Sequence, residues 1–463
     1  MTTRGNSTAS RDIANVLHPY TNLARHPAKG PMVIARGRGV RVYDENGKGY
    51  IEGLAGLWCT ALGWGEERLA QTAAKAMKEL SFYHVFGGKV SPPVADLAEK
   101  LIAMAPVPMS KVFFANSGSE AIDTAIKLVW YYNNALGRPE KKKLISRIKG
   151  YHGVTVASAS LTALPNNQRD FDLPIARILH TSCPHHYRFG RPDESEEDFA
   201  ARCAQELEQM ILAEGPETVA AFFAEPVMGA GGVLVPPKTY FDRIQPILRK
   251  YDVLLIADEV ICGFGRTGNA WGSQTYGIKP DMIAMAKALS SAYLPISALM
   301  VSEAVYQAMI KQSEKIGVFG HGYTYGGHPV AAAVALETLK IYEERNVFAH
   351  VRRVAPALQD GLRRLGNHPL VGEARGVGLI GALEMVRDKT THEPFLPTDG
   401  VGPYFWDRLQ ENGVINRVIG DVIAFAPPLV IAEDDIAEML AATGRALDDT
   451  LAWVKKQGLR PKG

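Results

Sequence analysis

The sequence predicts an α/β protein with a large, mostly parallel sheet, followed by a smaller α+β unit. Three observations predict it. From about residue 110 to 340, short apolar runs alternate with helical periodicity, the pattern of parallel strands joined by crossover helices. The run LLIA at 254–257 is wholly apolar and bounded by charge, as a strand buried on both faces must be. Beyond about residue 345 the order becomes helix, strand, helix, strand, which is a separate packing unit. At 463 residues the chain is too long for one compact core.

In chain order, residues 1–10 are small and polar and read as disordered, and the proline-bearing stretch 18–31 reads as irregular. Strands follow at 33–34 and 40–43. The D-E-N-G at 44–47 makes a hairpin turn in which Asn46 and Gly47 supply positive backbone angles. Segment 50–65 is aromatic and glycine-rich, and its Trp58 is either core or the wall of a pocket. Residues 66–80 form an amphipathic helix with Leu69, Ala73, Ala76, Met77 and Leu80 on one face. A loop at 82–93 carries Phe82, Tyr83 and Phe86, core or pocket, and helix 94–104 follows.

Strand 111–116 leads into Ser117-Gly118-Ser119-Glu120 and then a helix with Ile122, Ala125, Ile126 and Val129 buried. Segment 144–153 reads as a strand ending on Tyr151, His152 and Gly153. The charged run 193–199 starts a solvated helix, and 219–227 is a buried strand ending on Glu225 and Pro226. Helix 240–250 leads to the strand 254–257. A strand at 281–286 runs into Lys287, and another lies at 299–301. A Gly/aromatic loop then enters the Ala-rich helix within 320–339. The smaller unit reads as helix 351–365, strand 375–386, helix 404–414 and strand 422–430, with a frayed basic tail at 455–463.

Composition excludes several classes. Lys and Arg total 51 against 49 Asp and Glu, so there is no general attraction to nucleic acid or acidic membranes. No apolar run is long enough to cross a bilayer, and the N-terminus lacks a signal-peptide core, so a cytoplasmic protein is expected. The four cysteines are scattered and read as reduced thiols. In HTSCPHHYR at 180–188, Pro184 and the adjacent His185 and His186 do not fit zinc-ligand spacing, so no metal is expected. The GAGG at 229–232 is no G-x-G-x-x-G fingerprint, which excludes a dinucleotide fold.

The chemistry concentrates at strand ends. Asp258 and Glu259 close one strand and Lys287 closes another, at the mouth where α/β sheets bind ligands. An amine beside a buried carboxylate suits a pyridine-aldehyde cofactor: the amine condenses with the aldehyde and the carboxylate keeps the ring nitrogen protonated. Ser117 to Ser119 stand between a strand and a helix start, where free N–H groups hold a phosphate or where serine simply caps the helix.

Ordered motifs then carry a resemblance. These are L-W-C at 57–59, N-S-G-S-E-A at 116–121, Y-H-G at 151–153, E-P-V at 225–227 and D-E-V-x-x-G-F-G-R-T-G at 258–268. Lys287, T-Y-G-G-H-P at 324–329, R-G-x-G-L at 375–379 and R-x-x-G-D…P-P-L at 417–429 complete the series. From about residue 44 to 430 the chain resembles the class III, or omega, aminotransferases that depend on pyridoxal 5'-phosphate, in the amine or beta-alanine:pyruvate transaminase group.

The resemblance implies a fold-type I enzyme with a mostly parallel seven-stranded sheet. Its large cofactor domain would span 61–335, and its small domain would combine 336–463 with the N-terminal segment 1–60. Lys287 would hold the cofactor covalently and shuttle a proton, and Asp258 would pair with the ring nitrogen. Ser117, Gly118 and Ser119 would bind the phosphate. Tyr151 and Val260 would cover the ring faces, with His152 and Glu225 nearby. Tyr323 would bind the cofactor, and Thr324 would reach the phosphate of a neighbouring subunit, which implies a homodimer or a tetramer with shared sites. Trp58, Phe86, Tyr151 and Ala230 would line the substrate cavity, and Arg417 would pair with a substrate carboxylate unless it serves a surface salt bridge. Phe425 departs from the small residue usual in relatives. The implied reaction is ping-pong transfer of an amino group from a primary amine or omega-amino acid to a keto acid, pyruvate first among them, giving products of S configuration. The rivals are a decarboxylase or an aminomutase on the same fold, and a non-catalytic relative.

Overall fold

The computed structural model describes residues 6–459. At its centre lies a seven-stranded sheet in the order Lys111–Ala115, Ser297–Val301, Met282–Met285, Leu254–Asp258, Val219–Ala224, Lys143–Arg147, Ile178–Thr181. The run from Met282–Met285 to Ile178–Thr181 is parallel throughout, and Ser297–Val301 lies antiparallel to both of its neighbours. Every residue of Val219–Ala224 and Leu254–Asp258 is buried, because helices cover both faces. Period-two alternation divides the strands between them. Ala221, Phe223, Leu254 and Ile256 pack with Ile122, Ala125 and Val129 of helix Gly118–Ala135. Phe222, Ala224 and Leu255 pack with helices Glu196–Glu214 and Tyr240–Lys250 on the other face.

Two four-stranded sheets flank this core. In one, Ile34–Arg38, Arg41–Asp44 and Gly49–Glu52 are joined in parallel by Val414–Ile415, so both ends of the chain share a sheet. The other runs Val371–Val377, Ile380–Met385, Val422–Phe425, Arg417–Ile419. Phe425 is fully buried there, in register with Gly381. Helix Glu433–Lys456 closes the fold with Ile436, Met439 and Leu447 inward.

Several expectations are corrected. Helix Thr8–Asn15, capped by Ser7, begins inside the stretch read as disordered, of which residues 1–5 lie outside the described residues. A short helix, His26–Lys29, interrupts the irregular segment. At 44–47 only Gly47 takes a positive φ, of 85°, because Asp44 Oδ1 accepts from the N–H groups of Asn46 and Lys48 and closes the turn itself. The strand expected over 144–153 ends at Arg147. The single strand expected over 375–386 is a hairpin: Gly378 turns at φ 57°, where a Cβ would lie 2.5 Å from Arg266 O. The basic end continues helix Glu433–Lys456 through Lys455 and Lys456, and 460–463 lie outside the described residues. In helix Glu67–Glu79 only Leu69 is buried, and Met77 and Leu80 are 56% and 40% exposed. Periodicity reports that a face wants covering, not what covers it. Among the described residues no helix is long and apolar enough to cross a membrane.

Candidate active site

The site is built on two hydrogen-bonded parallel strands, Leu254–Asp258 and Met282–Met285. Asp258 pairs with Ala284 in register, so Lys287 emerges just beyond it at the same sheet edge. Lys287 sits at φ 51°, a left-handed backbone costly for a residue with a Cβ. Burial lowers its amine below the ordinary lysine range, against the opposing field of Asp258. Among the described residues Lys287 Nζ makes no hydrogen bond or ion pair. Glu259, the other carboxylate of the sequence pair, turns away. It accepts from the N–H groups of Gly272 and Ser273 and from Ser273 Oγ, and burial pushes its pKa up to about 7. Successive residues leaving a strand point to opposite sides, and only Asp258 faces the cavity.

Asp258 is 4% exposed and accepts from His152 Nδ1 at 2.8 Å and from Val260 N at 3.1 Å. A carboxylate accepts, so Nδ1 is the donor, and His152 Nε2 is left buried without a partner. Glu225 is equally committed: its oxygens accept from Tyr151 N at 3.0 Å and Gly229 N at 2.9 Å, and burial raises its pKa. Glu225 thereby ties the Tyr151 loop to the loop that carries Ala230. Ala230 itself is held between two tight contacts. A Cβ on Gly229 would lie 2.4 Å from Ile261 Cδ1, and one on Gly231 would lie 2.3 Å from Lys149 O.

Opposite the strand ends, helix Gly118–Ala135 points its N-terminus at the cavity, with Gly118 and Ser119 in the wall. Ser117 takes the capping role, accepting from Glu120 N at 3.2 Å, and its side chain is exposed outside the cavity. A Cβ on Gly118 would come within 3.1 Å of Val260 Cγ1, so glycine lets the helix start approach Val260.

These residues enclose a cavity of about 330 Å³. It gathers Trp58, Gly118, Ser119, Tyr151, His152, Glu225, Ala230, Asp258, Val260, Lys287 and Arg417, which the sequence singles out, from far-separated positions. Trp58 is both things the sequence left open: it is 2% exposed, packs with Leu54 and Ile261, and lines the cavity. Arg417 opens strand Arg417–Ile419 and has no carboxylate partner among the described residues, which argues against a surface salt bridge. Its guanidinium lies 5.5 Å from the centre of the Tyr20 ring.

Pro19, Tyr20, Leu57, Ile261 and Ala286 also line the cavity, and sequence reasoning missed them. Tyr20 hydrogen-bonds the Tyr151 phenol, which burial and this contact hold above its ordinary pKa. No local motif marks Tyr20, because it arrives from the N-terminal segment across the whole fold. Besides Ser117, three expected residues are absent from this cavity. Phe86 is 47% exposed and packs over Gly322, Tyr323 donates to Glu120 O at 3.2 Å, and Thr324 is exposed. Within one chain they lie outside the site.

The histidines of 180–188 do not converge. His180 bonds Ser160 O, His185 bonds Glu373 and His186 bonds Glu194 O. A larger cleft of about 900 Å³ lies beside His185 and Glu373. Arg375 fills its acidic corner by pairing with both Glu373 and Glu384, so its charges are already matched.

The residue pattern of the family Aminotransferase class-III matches residues 23–447. A gamma aminobutyrate transaminase 3, chloroplastic, of Solanum lycopersicum is 52% identical over 437 residues, covering 94% of this chain and 84% of that protein. A gamma-aminobutyrate transaminase 1, mitochondrial, of Oryza sativa subsp. indica is 53% identical over 436 residues, with 94% and 84% covered. The structure of the omega transaminase from Pseudomonas jessenii in complex with PMP superposes with a TM-score of 0.96 at 56% identity, covering 97% of this chain and 99% of that one. A thermostable omega transaminase variant, W58M/F86L/R417L, engineered for asymmetric synthesis of enantiopure bulky amines, gives a TM-score of 0.95 at 56% identity, covering 97% and 100%.

Proposed function

The chain belongs to the class III aminotransferases, and on that premise we propose that it moves an amino group from a primary amine or omega-amino acid to a keto acid, with pyruvate as acceptor. Class III aminotransferases use pyridoxal 5'-phosphate, and the residues here fit it. A half-buried lysine whose amine has no partner among the described residues, a buried carboxylate and a helix start opening on glycine face one cavity, and they match an aldehyde, a ring nitrogen and a phosphate. When bound, the cofactor supplies an aldehyde that takes up the amino group and a pyridinium ring that withdraws electrons from the substrate carbon.

The chain's own residues do the rest. Lys287 Nζ, lowered in pKa by burial, would hold the cofactor and would take and return the proton of the amine-bearing carbon. Delivery from Lys287 on one side makes products of one hand. Asp258 holds the ring nitrogen protonated, and His152 fixes that carboxylate through its 2.8 Å bond. Gly118 and Ser119 hold the phosphate, with Ser117 fixing the helix start. Tyr151 and Val260 would cover the ring, and Glu225 fixes the Tyr151 backbone.

Arg417 is the substrate handle: an unpaired guanidinium binds the carboxylate of the keto acid, or of an omega-amino acid, bidentately. Trp58 and the small Ala230 shape the apolar part of the cavity. Three sites changed in the variant engineered for bulky amines bear the numbers of Trp58, Phe86 and Arg417 here, which supports a role for all three in substrate choice. A homodimer in which Phe86, Tyr323 and Thr324 of each chain complete the other's site accounts for their distance from their own cavity. The observation that carries the reading is that Lys287 and Asp258 line one cavity at adjacent strand ends. A second reading, gamma-aminobutyrate as donor, draws on the plant relatives and on Arg417.

A donor panel with pyruvate and 2-oxoglutarate tests both. Alanine formed without carbon dioxide supports the proposal. Carbon dioxide release, or nitrogen migrating within one substrate, would instead mean a decarboxylase or an aminomutase.

A further inference from the structure

Asp12, His18 and His26 come together on the N-terminal segment, outside the active site. Their ligand-capable atoms lie within 4.8 Å of one another. His18 Nε2 stands 2.8 Å from each oxygen of Asp12, and His26 Nε2 stands 3.1 Å from Oδ2. The imidazole centres are 4.3 Å apart. The three side chains are 28%, 11% and 16% exposed for His18, His26 and Asp12, so the group is half-sheltered and still reachable from solvent.

Two features distinguish this group from an ordinary ion pair. Both imidazoles direct the same atom, Nε2, at one carboxylate, and His18 Nε2 faces both oxygens equally. A single N–H aimed between two oxygens makes a bent, shared hydrogen bond, weaker than a linear one. The spacing also suits a cation: zinc at about 2.0–2.2 Å from each ligand in tetrahedral geometry separates ligand atoms by about 3.4 Å. The 2.8 and 3.1 Å separations of the two imidazoles from Asp12 are about 0.6 and 0.3 Å short of that. The other histidine–carboxylate group, His185 with Glu373 and Glu384, already has the Arg375 guanidinium as its cation. The Asp12 group has no lysine or arginine on its carboxylate among the described residues.

We propose that Asp12, His18 and His26 form a binding site for a divalent transition cation of the zinc class, which closes the N-terminal segment over the active-site mouth. Two imidazoles select against magnesium and calcium, which take oxygen ligands. Three protein ligands leave the fourth position to water. Pro19 and Tyr20, between the two histidines, line the active-site cavity. Tyr20 also bonds Tyr151 and accepts from Asn167 Nδ2 at 2.5 Å. A cation joining residue 12 to residues 18 and 26 therefore clips the loop that carries this wall.

The test is equilibrium dialysis of chelator-stripped holoenzyme against ZnCl2, with amide exchange followed over 12–26. The native chain is expected to retain one more zinc per chain than His18→Asn/His26→Asn, and Asp12→Asn, which keeps both imidazoles, is expected to bind more weakly. Zinc is expected to slow exchange across 12–26 by about tenfold in the native chain and not in the double variant. Equal zinc in native and double-variant chains, or equal slowing in both, overturns the proposal.

Discussion

At the residue scale, environment decides which of several similar groups takes part. Asp258 and Glu259 are neighbours in sequence, yet one faces the cavity and the other caps a short helix through three hydrogen bonds. Lys287 is one of many lysines, but it is half-buried in the cavity that holds Asp258 and has no partner among the described residues. Lys287→Ala is expected to lower turnover by at least about 10³-fold while the protein still holds pyridoxal phosphate non-covalently, checked by steady-state rates and absorbance. Burial is the main cause of the lowered Lys287 pKa, and the positive charge of Arg417 adds to it. Arg417→Ala is therefore expected to move the Lys287 titration to higher pH, read from the pH dependence of cofactor rebinding to the apo form. The same change should raise KM for keto acids by about 10- to 100-fold and leave KM for uncharged aryl amines nearly unchanged, measured with matched substrates. A KM increase of equal size for both would argue that Arg417 is structural.

At the element scale, close approaches set the site, and turn chemistry holds its rim. Gly118→Ala crowds Val260, since a Cβ at that position would lie 3.1 Å from Val260 Cγ1, tighter than ordinary van der Waals contact. Cofactor affinity is expected to fall about tenfold, measured by fluorescence titration, and Val260→Ala should restore part of it. Glu52 lies under the loop that carries Trp58 and accepts from Gly56 N. Burial, against the Gly56 and Leu54 N–H groups, pushes its pKa up to about 8, above the ordinary 4.5. The unfolded chain then gives up the proton first, so stability falls as pH rises from 4.5 to 8. Glu52→Gln keeps an acceptor and removes this loss. Its Tm is expected to exceed that of the native chain by about 3 °C at high pH and to match it at low pH, by calorimetry. Much at this scale is legible in the sequence. An apolar run ending in charge places Asp258 and Lys287, and Ser-Gly-Ser between strand and helix places the helix start that lines the cavity. What is not legible is non-local: Tyr20 reaches the cavity across the fold, and Gly378 breaks one apolar run into two strands because the turn there admits no Cβ.

At the scale of the whole molecule, the surface explains the misplaced helix face. Met77, Leu80, Phe82, Tyr83, Phe86, Val90 and Tyr325 are all exposed, and Phe82 packs edge-on to Tyr325. An exposed apolar patch of this kind suits an interaction surface, and within one chain the amphipathic face of 66–80 is left largely uncovered. In the proposed homodimer, Phe86 and Thr324 of one chain would complete the other's site. Phe86→Asp/Tyr325→Asp is expected to shift sedimentation from dimer to monomer and to release the cofactor. A dimer that stayed intact with both changes would contradict the shared site. The account as a whole rests on the fold bringing Lys287 and Asp258 to one cavity around pyridoxal phosphate. The most direct measurement is borohydride reduction of the holoenzyme followed by peptide mass spectrometry. The account predicts one pyridoxyl phosphate group per chain, on Lys287. An unlabelled chain, or a label on any other lysine, would contradict it.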